Sequence, residues 1–139
     1  MIDCMIVGDS IAVGTHNVRQ ECAEHATGGL NSWQWNKKYK DVDLTAKSVI
    51  ISLGTNDHQY IKTRKELEVM RSRVKAERVY WILPMGNSPK SGVDLDDLQH
   101  TVAEVAEKHN DIVIATKRLQ KDGIHPSWAG YKELSEAAK

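Results

Sequence analysis

Three stretches of this sequence carry the side chains that acyl transfer needs. They are Gly8-Asp9-Ser10 near the start, Gly54-Thr55-Asn56-Asp57 in the middle and Asp122-Gly123-Ile124-His125-Pro126 near the end. A serine hydroxyl is a weak nucleophile until an imidazole takes its proton, and the imidazole needs a carboxylate to fix its tautomer and stabilise its charged form. Ser10, His125 and Asp122 are of the right types for those three roles. Only two residues separate Asp122 from His125, so one loop can present both, and a helix starting near Pro126 gives that loop a rigid exit.

A tetrahedral intermediate also needs hydrogen-bond donors aimed at its oxyanion, usually the largest single stabilising contribution. Three donors are on offer: the Ser10 amide, a backbone amide at Gly28-Gly29, and the side-chain amide of Asn56. Glycine suits the second because the missing Cβ lets backbone approach a substrate closely. Asparagine suits the third because its NH2 donates without carrying charge.

Other polar residues near these stretches have structural readings. Asp9 is expected to cap the helix that follows it, and Asp57 to cap its own helix or tie the Asn56 loop. His58 beside Asp57 suggests a metal pair, but no H-E-x-x-H or comparably tight ligand spacing accompanies it, so no metal is expected. His16, His25, His100 and His109 lack a partner pattern and read as surface residues. Trp33, Trp35 and Trp128 offer flat faces for a sugar ring, whereas Trp81, inside an apolar run, reads as core.

The elements that must position these groups follow from the apolar runs. Residues 4–7, 49–53, 79–83 and 112–115 are short, apolar and without clean alternation, as strands buried on both faces are. Residues 21–27 form a weaker candidate for an edge strand. Helical spacing appears at Leu95, Leu98, Val102 and Val105, with Asp94 as N-cap, and at Leu67, Met70 and Val74. A C-terminal helix is expected to carry Trp128, Tyr131, Leu134 and Ala138 on one side, and a fourth helix to cover 32–39. Strands alternating with helices predict a parallel sheet, because each parallel connection needs a crossover. The expected fold class is α/β: a three-layer α/β/α sandwich with a flavodoxin-like sheet of about five strands in the order 2-1-3-4-5. Ligands of such sheets bind beyond the carboxyl ends of the strands, where all the stretches above fall.

The 139 residues suit one domain, 1–139, with a single core. Hydrophobic residues at 40% and charged residues at 27% fit a water-soluble globular chain. With 19 basic against 19 acidic residues the net charge is zero, and the densest basic stretch, 62–75, also holds Glu66 and Glu68 and reads as a solvated helix face. A nucleic-acid partner is therefore not expected. Neither is a membrane partner, since no apolar run reaches the ~20 residues that span a bilayer. The start of the chain runs directly into a strand pattern without a basic leader, which makes cytoplasmic residence the default, release by lysis or a phage-particle setting remaining compatible. Two cysteines, Cys4 and Cys22, cannot make a disulfide framework and read as reduced core thiols.

Taken in order, the three stretches resemble the blocks of the SGNH (GDSL-like) hydrolase family, named for its Ser, Gly, Asn and His. Gly8-Asp9-Ser10 resembles the first block, continuing Ile11-Ala12-Val13-Gly14 where many members have leucine after the serine. Gly54-Thr55-Asn56-Asp57 resembles the G-x-N-D block, and Asp122-Gly123-Ile124-His125-Pro126 the D-x-x-H-P block. For the glycine block both Gly28 and Gly29 are available; Gly29-Leu30-Asn31-Ser32 is closer to the family's G-x-(S/T)-(S/T) run.

The resemblance implies the flavodoxin-like fold, no cofactor, and ester hydrolysis through an acyl-serine, with Ser10, Asp122 and His125 catalytic and Ser10, Gly29 and Asn56 forming the oxyanion hole. There is no G-x-S-x-G, so the strained elbow of α/β-hydrolases is not expected. So short a chain leaves little room for a deep acyl pocket, and an open cleft favours small, acetyl-type esters, O-acetyl groups on carbohydrate among them. The alternatives are a lipid acyl-ester or thioester hydrolase on the same site, a metal-dependent phosphoesterase, and a non-catalytic carbohydrate-binding module.

Overall fold

Alternate residues of each central strand belong to different cores. In the computed structural model, which describes residues 1–87 and 89–139, β1 (Cys4–Gly8) sends Met5 and Val7 to one side and Cys4 and Ile6 to the other. Along β3 (Ser48–Ser52) Val49 and Ile51 face the first side and Ile50 the second. In β4 (Arg78–Ile82) Val79 and Trp81 part in the same way from Tyr80 and Ile82. This is the period of two that a pleated strand imposes, and burial on both faces explains why the runs read as continuously apolar.

β2 (Ala23–Ala26) and β5 (Ile112–Ile114) complete a five-stranded parallel sheet in the order β2-β1-β3-β4-β5. The expected order is the one found. The edge strands differ from the central three: β2 is only partly buried, and Ile112 and Val113 are exposed.

α2 (Ser32–Lys38), α3 (Thr63–Arg71) and α4 (Leu95–Lys108) pack on the first core through Trp35, Leu67, Met70, Val102 and Val105. α1 (Ser10–Asn17) and α5 (Trp128–Ala137) cover the second through Ile11, Ala12 and Leu134. The result is a three-layer α/β/α sandwich. Asp94 caps α4 by accepting from the Asp97 amide at 3.2 Å, as its sequence position predicts. α3 stops at Arg71, so Val74 reaches the core from the turn that follows rather than from the helix.

Two expectations need correction. Cys4 and Cys22 are not free thiols but form a disulfide across β1 and the start of β2. Met5 pairs with Ala23, and parallel register sets the two residues just before them side by side. A bonded pair is the form that persists in oxidising surroundings. Trp128 does not share the buried side of α5: Leu134 and Ala138 are buried and Tyr131 half-buried, while Trp128 is 66% exposed. Six residues before Leu134, it is turned by about 120° from that side at ~100° per residue. Among the described residues no helix is long and apolar enough to cross a membrane.

Candidate active site

All five strands point the same way, so the turns that follow them gather at one edge of the sheet. The first turn is set by Gly8, whose φ is +136° and where a Cβ would sit 1.8 Å from the Ser52 carbonyl oxygen. Only glycine fits there, and the tight approach lets the Asp9 amide donate to that same oxygen at 3.0 Å. Asp9 then caps α1, its Oδ1 accepting from the Ile11 amide at 3.0 Å and from Ser52 Oγ at 2.9 Å. It is fully buried and its Oδ2 has no partner, so burial outweighs those hydrogen bonds and pushes its pKa up to about 6. Ser10 is thereby the first residue of α1, half-buried at the sheet edge.

Across the edge, Ser10 Oγ lies 2.9 Å from His125 Nε2, and His125 Nδ1 lies 2.8 Å from Asp122 Oδ2. With the Nδ1 proton directed to the carboxylate, Nε2 is left to accept from the serine hydroxyl. The other carboxylate oxygen of Asp122 accepts from the amides of Ile124 at 2.8 Å and His125 at 3.0 Å. The His125 hydrogen bond, followed by these two amides, holds the Asp122 pKa down at about 2. Asp122 is thus a carboxylate throughout the neutral range.

The loop that carries this pair is fastened mainly by backbone. The Gln120 amide donates to the His125 carbonyl at 2.7 Å, Gln120 Nε2 to the Pro126 carbonyl at 3.1 Å, and the Asn87 amide to the Gly123 carbonyl at 2.6 Å. Gln120 and Asn87 are positioning residues that the sequence reading did not single out. For Asn87 the signal was its place in the polar turn after β4; Gln120 carries no comparable signal.

Among the same turns, the Asn56 side-chain amide donates to the Leu30 carbonyl at 3.1 Å, joining the turn after β3 to the turn after β2. Asp57 reinforces the joint by accepting from the Ser32 amide at 2.8 Å, Ser32 Oγ at 2.6 Å and Thr63 Oγ1 at 2.8 Å. It therefore ties the starts of α2 and α3 together, and burial raises its pKa despite those three donors. The two glycines in the turn after β2 differ in their surroundings. At Gly28 a Cβ would lie 3.6 Å from the Ser10 Cβ, in ordinary van der Waals contact, whereas Gly29 has open space around it but a φ of +81°.

No protein-family model matches the sequence, and no curated protein matches it either. Solved structures do match. The chain is similar to the acetylxylan esterase Axe2 from Geobacillus stearothermophilus, at 17% identity and a TM-score of 0.66 over 98% of this chain and 91% of that one. It is also similar to a GDSL-like lipase from Bacteroides thetaiotaomicron, at 16% identity and a TM-score of 0.72 over 98% and 84%. The chain has the SGNH hydrolase fold.

Within this SGNH fold, several remaining expectations sort themselves by burial. Trp35 cannot receive a sugar ring: it is fully buried on α2, its Nε1 donating to the His25 carbonyl at 3.0 Å. Trp33, two residues away and so about 200° round the helix, is 45% exposed. Trp81 is core, as expected. His16 and His109 are not bare surface residues; His16 contacts the Cys22 carbonyl and Glu24, and His109 contacts Glu68. His25 is half-buried against the Tyr39 ring, and His100 is exposed. His58 is exposed beside Asp57, and among the described residues no three His, Cys, Asp or Glu side chains converge on one point.

Proposed function

We propose that the protein hydrolyses small acyl esters through an acyl-serine at Ser10, with acetyl groups on carbohydrate as the favoured substrates. The observation that carries this reading is the unbroken chain Ser10 Oγ, His125, Asp122, with links of 2.9 and 2.8 Å at the carboxyl edge of the sheet. Ser10 attacks the ester carbonyl as His125 Nε2 takes its proton, and Asp122 stabilises the imidazolium that forms. The negative charge moving to the carbonyl oxygen is met by the amides of Ser10 and Gly29 and by the Asn56 NH2, which has one proton beyond that given to Leu30. Collapse expels the alcohol, protonated by His125. Water then repeats the cycle on the acyl-serine, with His125 again acting first as base and then as acid.

The preference for short acyl groups rests on half-open surroundings, in which both Ser10 and His125 remain partly exposed. The fold neighbour Axe2 is an acetylxylan esterase, which agrees with a carbohydrate ester. Turnover of p-nitrophenyl acetate tests the reading, with the decanoate ester expected to be cleaved more slowly. Equal or faster cleavage of the decanoate would overturn the short-acyl preference, and inertness towards both would overturn the esterase reading.

A further inference from the structure

A cleft of about 480 Å³ lies between the first turns of α2 and α3, and none of the steps above uses it. Asn31 and His58 form part of its wall. Each comes two residues after a proposed oxyanion donor, Gly29 and Asn56, so the cleft begins where those turns end. It lies among the helices of the first core, across the sheet from α1 and α5.

Two aromatic side chains line the cleft, Trp33 at 45% and Tyr60 at 81% exposure. Lys37 holds its ammonium 4.3 Å from the centre of the Trp33 ring but is not part of the cleft wall. Lys62 and Lys65 do line it, and among the described residues neither has an ion-pair partner. The one carboxylate in the wall, Glu66, accepts from Asn36 Nδ2 at 3.0 Å. Aromatic faces beside two ammonium groups without ion-pair partners, against one carboxylate, suit a ligand that has both a stackable ring face and negative charge. An acyl chain would leave these cations without use, and so would a neutral sugar. The stretch 62–75 reads in the sequence as an ordinary solvated helix face; the fold turns two of its lysines towards the same cleft as Trp33.

We propose that this cleft binds the alcohol part of the ester as an anionic pyranose chain, an oligouronate, with a ring against Trp33 and its carboxylates at Lys62 and Lys65. Its place in catalysis rests on the esterase reading above, but binding can be measured without turnover. Calorimetry on the Ser10→Ala protein would compare a deacetylated uronate trisaccharide with xylotriose of equal length. The uronate should bind about tenfold more tightly at low salt, and the advantage should shrink at high ionic strength as the charges are screened. Lys62→Gln with Lys65→Gln should abolish the advantage, while Trp33→Ala should weaken both sugars. Equal affinity for the two sugars, or an undiminished advantage in the double variant, would overturn the assignment. Tighter binding of a sugar phosphate than of the uronate would overturn the uronate part. If wild-type protein fails on p-nitrophenyl acetate yet uronate binding behaves as described, the esterase reading falls and the cleft assignment stands.

Discussion

The two sides of the Ser10–His125 contact are held in different ways. On the Ser10 side, position comes from buried carboxylates: Asp9 and Asp57 are at most 1% exposed, and each accepts hydrogen bonds that lock a turn to a helix start. On the His125 side, the side chains of Asp122 and His125 are 40% and 35% exposed, and their loop is fastened by a few backbone hydrogen bonds. The first arrangement builds the site out of the core, so it cannot be altered without disturbing the fold. The second hangs the site on the surface, where chemistry and stability separate.

Substitutions should expose that difference. Asp122→Asn should lower kcat on p-nitrophenyl acetate by about 10³–10⁴, by misdirecting the imidazole tautomer, with little change in thermal midpoint. A large fall in the midpoint would place Asp122 with the buried carboxylates instead. Asn56→Ala should cost about 10²–10³ in kcat if it donates to the oxyanion. Its contact with Leu30 makes it a link between turns as well, so a stability loss of about 1 kcal/mol should accompany the kinetic one. Loss of stability with kcat intact would leave Asn56 only the linking role.

Asp57→Ala should act in the opposite sense, destabilising by about 2–4 kcal/mol in denaturant titration because two buried donors of Ser32 and a part-buried one of Thr63 lose their acceptor. A stability within 0.5 kcal/mol of wild type, roughly the spread of ordinary surface changes, would show that these turns are held by something else. The smallest effect concerns Asp9. Its pKa is raised to about 6 in the folded protein, so between the unfolded carboxylate range and that value the folded state binds more protons than the unfolded one. This contribution therefore favours folding below about pH 4 and is lost as pH rises through about 6, by about 1–3 kcal/mol. Asp9→Asn should flatten this part of the stability profile, and an unchanged profile would assign it to another group.

Much of this contrast is legible in the sequence, and what is not has identifiable causes. Three blocks and their order point to Ser10, Asn56, Asp122 and His125, because local turn chemistry and side-chain type lie within a few residues of each other. Central strands show as apolar runs because both of their faces are buried. The disulfide escapes because it depends on register between β1 and β2, and β2 is a half-buried edge strand with a weak pattern. Trp35 could have been separated from Trp33 by helical spacing alone, since residues two apart point nearly opposite ways. Gln120 and Asn87 act mainly through backbone atoms, which residue type does not reveal.

The central claim is that Ser10 is a nucleophile activated by His125. A fluorophosphonate probe followed by peptide mass mapping tests it most directly, run on wild-type protein and on His125→Ala. One adduct on the peptide containing Ser10, formed far more slowly in the His125→Ala protein, is the expected result. An adduct on another residue, or labelling of Ser10 at an unchanged rate without His125, would contradict it.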